Sequence, residues 1–108
     1  MSTDRELLEL AAKAAGVSVW TDIDGNYYSE GFGVAERPWN PLTDDGDALR
    51  LAVKLHMTVR CYMGSPCVQI GVPGRPNAYV DETDQGDPAA ATRRAIVRAA
   101  AEIGKAMR

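Results

Sequence analysis

The chain has 108 residues, 45% of them hydrophobic and 25% charged, with a formal net charge of −3 and two cysteines. That length matches one domain without room for a second core, the apolar fraction excludes a disordered chain, and two cysteines exclude a disulfide framework. No apolar run approaches the roughly 20 residues that cross a bilayer, and the acidic first ten positions are unlike a secretory signal, so a cytoplasmic setting with no membrane partner is expected.

Thr3-Asp4-Arg5-Glu6 is a capping box, in which hydroxyl and carboxylate satisfy backbone N–H groups left unpaired by the first turn. It predicts a helix with Leu7, Leu8, Ala11, Ala14 and Ala15 on one face, stopped by Gly16. Val17 to Trp20 reads as a strand, and Asp24-Gly25, suited to a type I′ turn, folds it back onto Asn26 to Ser29. Gly31-Phe32-Gly33 and Pro38 break periodicity, so Glu30 to Pro41 is expected to be an irregular loop. Pro41-Leu42-Thr43-Asp44-Asp45 sets up a second helix with Thr43 or Asp44 as N-cap and acids facing the positive end of the dipole. Two apolar stripes, Leu49, Ala52, Val53 and His56 beside Ala48, Leu51 and Leu55, predict that this helix is the most buried of three.

Thr58 to Met63 and Cys67 to Val72 alternate with period two around Gly64-Ser65, which fits a type II′ turn. Closing there sets Met63 opposite Pro66, Cys61 opposite Val68 and Val59 opposite Ile70, an apolar face that must lie on helices. Thr58, Arg60, Tyr62, Cys67 and Gln69 share the other face. Pro73-Gly74-Arg75-Pro76 is a break, Ala78 to Val80 a short strand, and Asp81 to Gly86 an acidic connection. Asp87-Pro88, a capping acid followed by proline at the first helical position, opens the last helix, with Ile96, Ala99, Ala100, Ile103 and Met107 as its buried stripe. The expected fold class is α+β, one domain over residues 1–108, in the order α-ββ-α-βββ-α with a short antiparallel sheet and three helices.

Charge is unevenly spread. Pro88 to Arg108 holds five basic residues and one acid, and the remainder seven basic residues and fourteen acids. A basic last helix either docks anions or is simply a solvated face.

Three stretches carry a resemblance: Glu6-Leu7-Leu8-Glu9-Leu10-Ala11-Ala12-Lys13-Ala14-Ala15-Gly16, then Trp39-Asn40-Pro41-Leu42-Thr43-Asp44-Asp45-Gly46-Asp47-Ala48-Leu49-Arg50-Leu51-Ala52, then Ala95-Ile96-Val97-Arg98-Ala99-Ala100. They resemble the phage ABA sandwich domain family, small proteins of tailed phages and prophages, and the tryptophan-to-helix stretch is the most specific part. The resemblance implies a sheet layered between helices, α/β/α, and a bacterial host cytoplasm. It carries no catalytic residues over to positions here.

No catalytic constellation stands out. Asp22-Ile23-Asp24-Gly25-Asn26 alternates oxygen side chains like a calcium loop but lacks the late bidentate glutamate, so a hairpin turn is the simpler reading. Asp81, Glu82, Asp84 and Asp87 read as solvated linker and helix cap, and the lone His56 advertises neither nucleophile nor orienting partner. Cys61 and Cys67 point to opposite faces of the proposed hairpin, which argues against a disulfide or a shared metal. No metal and no cofactor are expected.

Five of the seven aromatics, Trp20, Tyr27, Tyr28, Phe32 and Trp39, fall between positions 20 and 39, beside Arg37. Flat rings next to a guanidinium are the groups that hold a base and its phosphate, although in a chain with few large side chains they also serve as core. The candidate ligand-binding set is Tyr28, Arg37, Trp39, Asn40, Arg60 and Tyr62. The expected function is a non-catalytic phage accessory protein that counters a host defence, with a nucleotide-type small molecule or a host defence protein as partner. One alternative is a homo-oligomer that self-associates through the alanine-rich last helix, and another is a metal-assisted hydrolase using the acids of 81–87. DNA fits poorly, because net negative charge opposes the phosphate attraction that dominates such binding.

Overall fold

In the computed structural model, which describes residues 3–29, 38–61, 67–71, 79–83 and 86–107, helix α1 spans Asp4–Ala15. The Thr3 hydroxyl caps it by accepting from the Glu6 N–H at 3.1 Å. Gly16 ends it at φ 70, and the N–H groups of Gly16 and Val17 donate back to the carbonyls of Lys13 and Ala12. That pair of bonds is a Schellman motif, which needs a residue tolerant of the left-handed region.

Strands β1 (Val19–Thr21) and β2 (Tyr27–Ser29) form an antiparallel hairpin in which Trp20 faces Tyr28. The turn differs from the expected type I′. Of its two residues only Gly25 has positive φ, whereas type I′ needs both, and Asp22 and Asn26 close a three-residue loop through Asp22 N–H to the Asn26 carbonyl. The Gly25 N–H donates to the Asp22 carbonyl, so the loop is a tight turn followed by a left-handed glycine.

Helix α2 (Asp45–Lys54) is capped by Asp44, whose Oδ2 accepts from the Asp47 N–H at 2.8 Å. Its expected rank as the most buried helix is corrected here. Ala48, Leu51 and Ala52 are buried, but Leu49 and Val53 are 63% and 65% exposed, because only one face of α2 meets α3. His56 stands one residue past the C-cap Leu55 at φ 55, and its N–H donates to the Val53 carbonyl while that of Met57 donates to Ala52. A histidine occupies a site that usually selects glycine.

Strands β3 (Thr58–Cys61), β4 (Cys67–Gly71) and β5 (Tyr79–Thr83) make a separate antiparallel sheet in the order β3-β4-β5. The register Val59↔Ile70 and Cys61↔Val68 is the expected one, while the Gly64-Ser65 turn and the Met63–Pro66 pair lie outside the described residues. The third strand runs further than expected. Asp81 and Glu82 belong to β5, paired with Gln69 and Val68, because the inward Glu82 meets arginines of the last helix instead of needing water on all sides.

Helix α3 (Pro88–Ala106) is capped by Asp87, whose Oδ1 accepts from the Ala90 N–H at 3.0 Å. It is the centre of the molecule, touching α1, α2, β4 and β5, and its buried residues run from Ala91 to Gly104. The largest fully buried side chains are Leu51, Val97 and Pro41, and burying an aliphatic side chain of that size contributes about 1.5–3 kcal/mol. Class and element order are as expected, α+β with three helices, and no described helix is long and apolar enough to cross a membrane.

Candidate binding cleft

A cleft of about 390 Å3 opens where the β1–β2 turn, the first turns of α1 and residues 38–40 meet. Each wall is set by local chemistry. Asp22 organises the turn: its Oδ1 accepts from the N–H groups of Asp24 and Asn26, both at 2.9 Å, and its Oδ2 accepts from Asn26 Nδ2 and the Tyr28 hydroxyl at 3.3 and 3.0 Å. Those donors, led by the Asn26 backbone, hold the Asp22 carboxyl below the usual carboxylate range.

On α1, Arg5 Nε donates to Glu9 Oε1 at 3.4 Å, one turn away, and the Tyr27 hydroxyl donates to the same oxygen at 2.8 Å. Burial, then the bond to Glu9, pushes the Tyr27 phenol up, and the Glu9 bond raises the Arg5 guanidinium further. Arg5 and Leu8 thereby form one side of the cleft, facing Pro38 to Asn40 across Tyr27.

That third wall is held by the start of α2. The Trp39 N–H donates to the Tyr27 carbonyl, seating the segment beside β2. Asn40 Oδ1 accepts from the Leu42 N–H at 3.0 Å, an Asx turn, and its carbonyl accepts from Thr43 and Asp44. Asp47, only 3% exposed, accepts from the Asn40 N–H at 2.9 Å and from Arg50 Nη2 at 2.7 Å. The Asn40-to-Asp47 stretch is therefore a locally hydrogen-bonded loop anchored on a buried carboxylate.

The six residues expected to bind ligand are only partly brought together. Trp39 and Asn40 line the cleft, but Trp39 is 3% exposed, so it supplies wall and no open stacking surface. Tyr28 sits on the opposite, outward side of the hairpin, where its ring stacks on Trp20. Arg60 is exposed on β3 in the other sheet, and Arg37 and Tyr62 lie outside the described residues.

Arg5, Asp22, Asn26 and Tyr27 take their place in the lining. Sequence could have pointed to Asp22, since an Asx residue four positions before another at a turn marks a self-bonded loop. Arg5 had no such signal, because its position depends on how α1 docks.

The basic last helix is occupied internally. Arg93 Nη1 pairs with Asp45 at 2.6 Å, Arg94 with Asp4 and Glu82 at 3.3 and 3.6 Å, and Arg98 with Glu82 at 2.6 Å. The acids of 81–87 are likewise dispersed: Glu82 serves those arginines, Asp87 caps α3, and Asp84 is outside the described residues. Among the described residues no group of three or more histidine, cysteine, aspartate or glutamate side chains is placed to hold a metal ion.

No family model matches the chain, and neither a curated protein nor a solved structure does.

Proposed function

We propose that the protein is a non-catalytic binding module, a phage or prophage accessory protein that counters a host defence in the bacterial cytoplasm by sequestering a nucleotide signal. The cleft carries the binding part of this reading. It offers apolar walls from Leu8, Tyr27, Pro38 and Trp39, amide groups of Asn26 and Asn40 for a base edge, and the Arg5 guanidinium for phosphate oxygens. Its described lining holds neither a histidine nor a cysteine, the side chains that most readily serve as base or nucleophile. The phage setting rests on the three sequence stretches quoted above.

Calorimetry with cyclic and linear nucleotides tests the reading. Saturable heat with at least one of them, weakened roughly ten-fold or more in Arg5→Ala, is the expected result. Arg5 suits this purpose because its side chain is 74% exposed and its loss leaves the core intact. Absence of heat with every nucleotide removes sequestration. Occlusion of a host defence protein is the second form of the reading, favoured by the exposed aromatic side of the β1–β2 hairpin.

A further inference from the structure

One guanidinium and two carboxylates set the electrostatic field of the cleft. In its described lining Arg5 is the sole cation and Asp22 the sole anion. The Arg5 Nε is committed to Glu9, a second carboxylate directly behind it, while its Nη groups make no hydrogen bond among the described residues. Asp22 accepts from four donors, which uses up its oxygens and favours the charged form. It therefore offers a ligand no acceptor but keeps its negative charge at neutral pH.

The two amides of the lining are oriented by their neighbours. Asn26 Nδ2 donates to Asp22, which leaves its Oδ1 as an acceptor, and Asn40 Oδ1 accepts from the Leu42 N–H, which leaves its Nδ2 as a donor. The Watson–Crick edge of every base presents a donor beside an acceptor, so this pair suits a base without choosing one, and selectivity falls on the phosphate. The volume, about 390 Å3, lies near the lower end of the roughly 300–1,000 Å3 of small-molecule sites, room for one nucleoside unit.

Resting on the reading of this cleft as a nucleotide site, we propose that it selects one nucleotide unit whose phosphate is a diester, the 3′,5′-cyclic mononucleotides, over linear nucleotides and cyclic dinucleotides. A phosphodiester carries a single negative charge, and its two non-bridging oxygens match the two Nη groups of Arg5. A linear monoester carries about −1.5 to −2 at neutral pH and a triphosphate more. Each added charge meets Asp22 and Glu9 with no second cation in the described lining to balance it. A cyclic dinucleotide brings a second base and a second phosphate into a space sized for one.

Calorimetry across a nucleoside, its cyclic monophosphate, linear monophosphate and triphosphate, and the cyclic dinucleotide, run for adenine, guanine, cytosine and uracil, tests the selectivity. The cyclic monophosphate is expected to bind roughly ten-fold or more tighter than the nucleoside, which has no partner for Arg5, and than the triphosphate, which is repelled, with the linear monophosphate between. Glu9→Gln keeps an oxygen for Arg5 and Tyr27 but removes the charge, and should narrow the gap between cyclic monophosphate and triphosphate about three-fold or more. Glu102→Gln, which removes the same charge from α3, leaves that gap unchanged. Asp22→Asn should narrow it as well, and Glu9→Gln keeps the test decisive if that substitution loosens the turn. A linear nucleotide or a cyclic dinucleotide bound as tightly as the cyclic monophosphate, or a gap that responds alike to Glu9→Gln and Glu102→Gln, overturns this selectivity and leaves nucleotide sequestration standing. Absence of heat with every nucleotide removes the cleft reading itself, and this inference with it.

Discussion

The Tyr27 phenol donates its proton to Glu9 from a buried position, so deprotonation would place two anions at hydrogen-bond distance. Its folded pKa lies above the ordinary 10.0, first through burial and then through that bond. A raised folded value means that its stabilising contribution is complete below the unfolded pKa and is lost as pH rises through the folded one. Urea midpoints are therefore expected to fall above pH 10.0 in the wild type and to fall less steeply in Tyr27→Phe. Parallel slopes for the two proteins would show that this phenol is not the linked group; Tyr28, also raised, through its bond to Asp22, contributes in both. The phenol's partner was hidden from sequence, since Tyr27 and Glu9 are 18 residues apart.

Among elements, the contact between α1 and α3 is the most extensive. Gly104 is buried against the Leu10 backbone, and an added Cβ would overlap the Leu10 carbonyl oxygen. Alanines line both sides, Ala11 and Ala15 on α1 and Ala100 and Ala101 on α3, which lets the axes approach. The small side chains expected to recruit a second copy are thus used within the chain. Gly104→Ala gains helix propensity of about 1 kcal/mol, but must push two helices apart. Backbone does not yield as a flexible side chain does, so a net loss of about 1–3 kcal/mol is expected by urea denaturation. A neutral or stabilising outcome would mean that the helices separate freely. Sequence signalled all three helices through their caps, which are local bonds between residues three apart. It misjudged α2, because apolar periodicity marks which faces can be buried and not which faces find a partner.

At the scale of the molecule, the uneven charge of the chain becomes a set of ties from α3 to α1, α2 and β5. They differ in worth. Arg93 is 17% exposed and its Nε also donates to the Leu42 carbonyl at 2.9 Å, whereas Arg94 is 44% exposed with longer contacts. Exposed ion pairs contribute little, and a charged hydrogen bond out of water contributes more. Arg93→Met is expected to cost about 1–2 kcal/mol and Arg94→Met less than half of that, read from urea midpoints. Equal losses would assign the effect to net charge instead of the Leu42 bond.

The sequence by itself determined the element order, the helix starts, the left-handed stop at Gly16 and the β3–β4 register, because each rests on bonds or side-chain alternation among near neighbours. Tertiary structure alone decided that Trp39 is wall, that Tyr28 faces outward with Trp20, and that Arg5 comes to the cleft. It likewise paired the arginines of α3 with acids as far as 90 residues away. Those outcomes depend on which faces meet when helices dock on a sheet, a property of packing that local pattern does not encode.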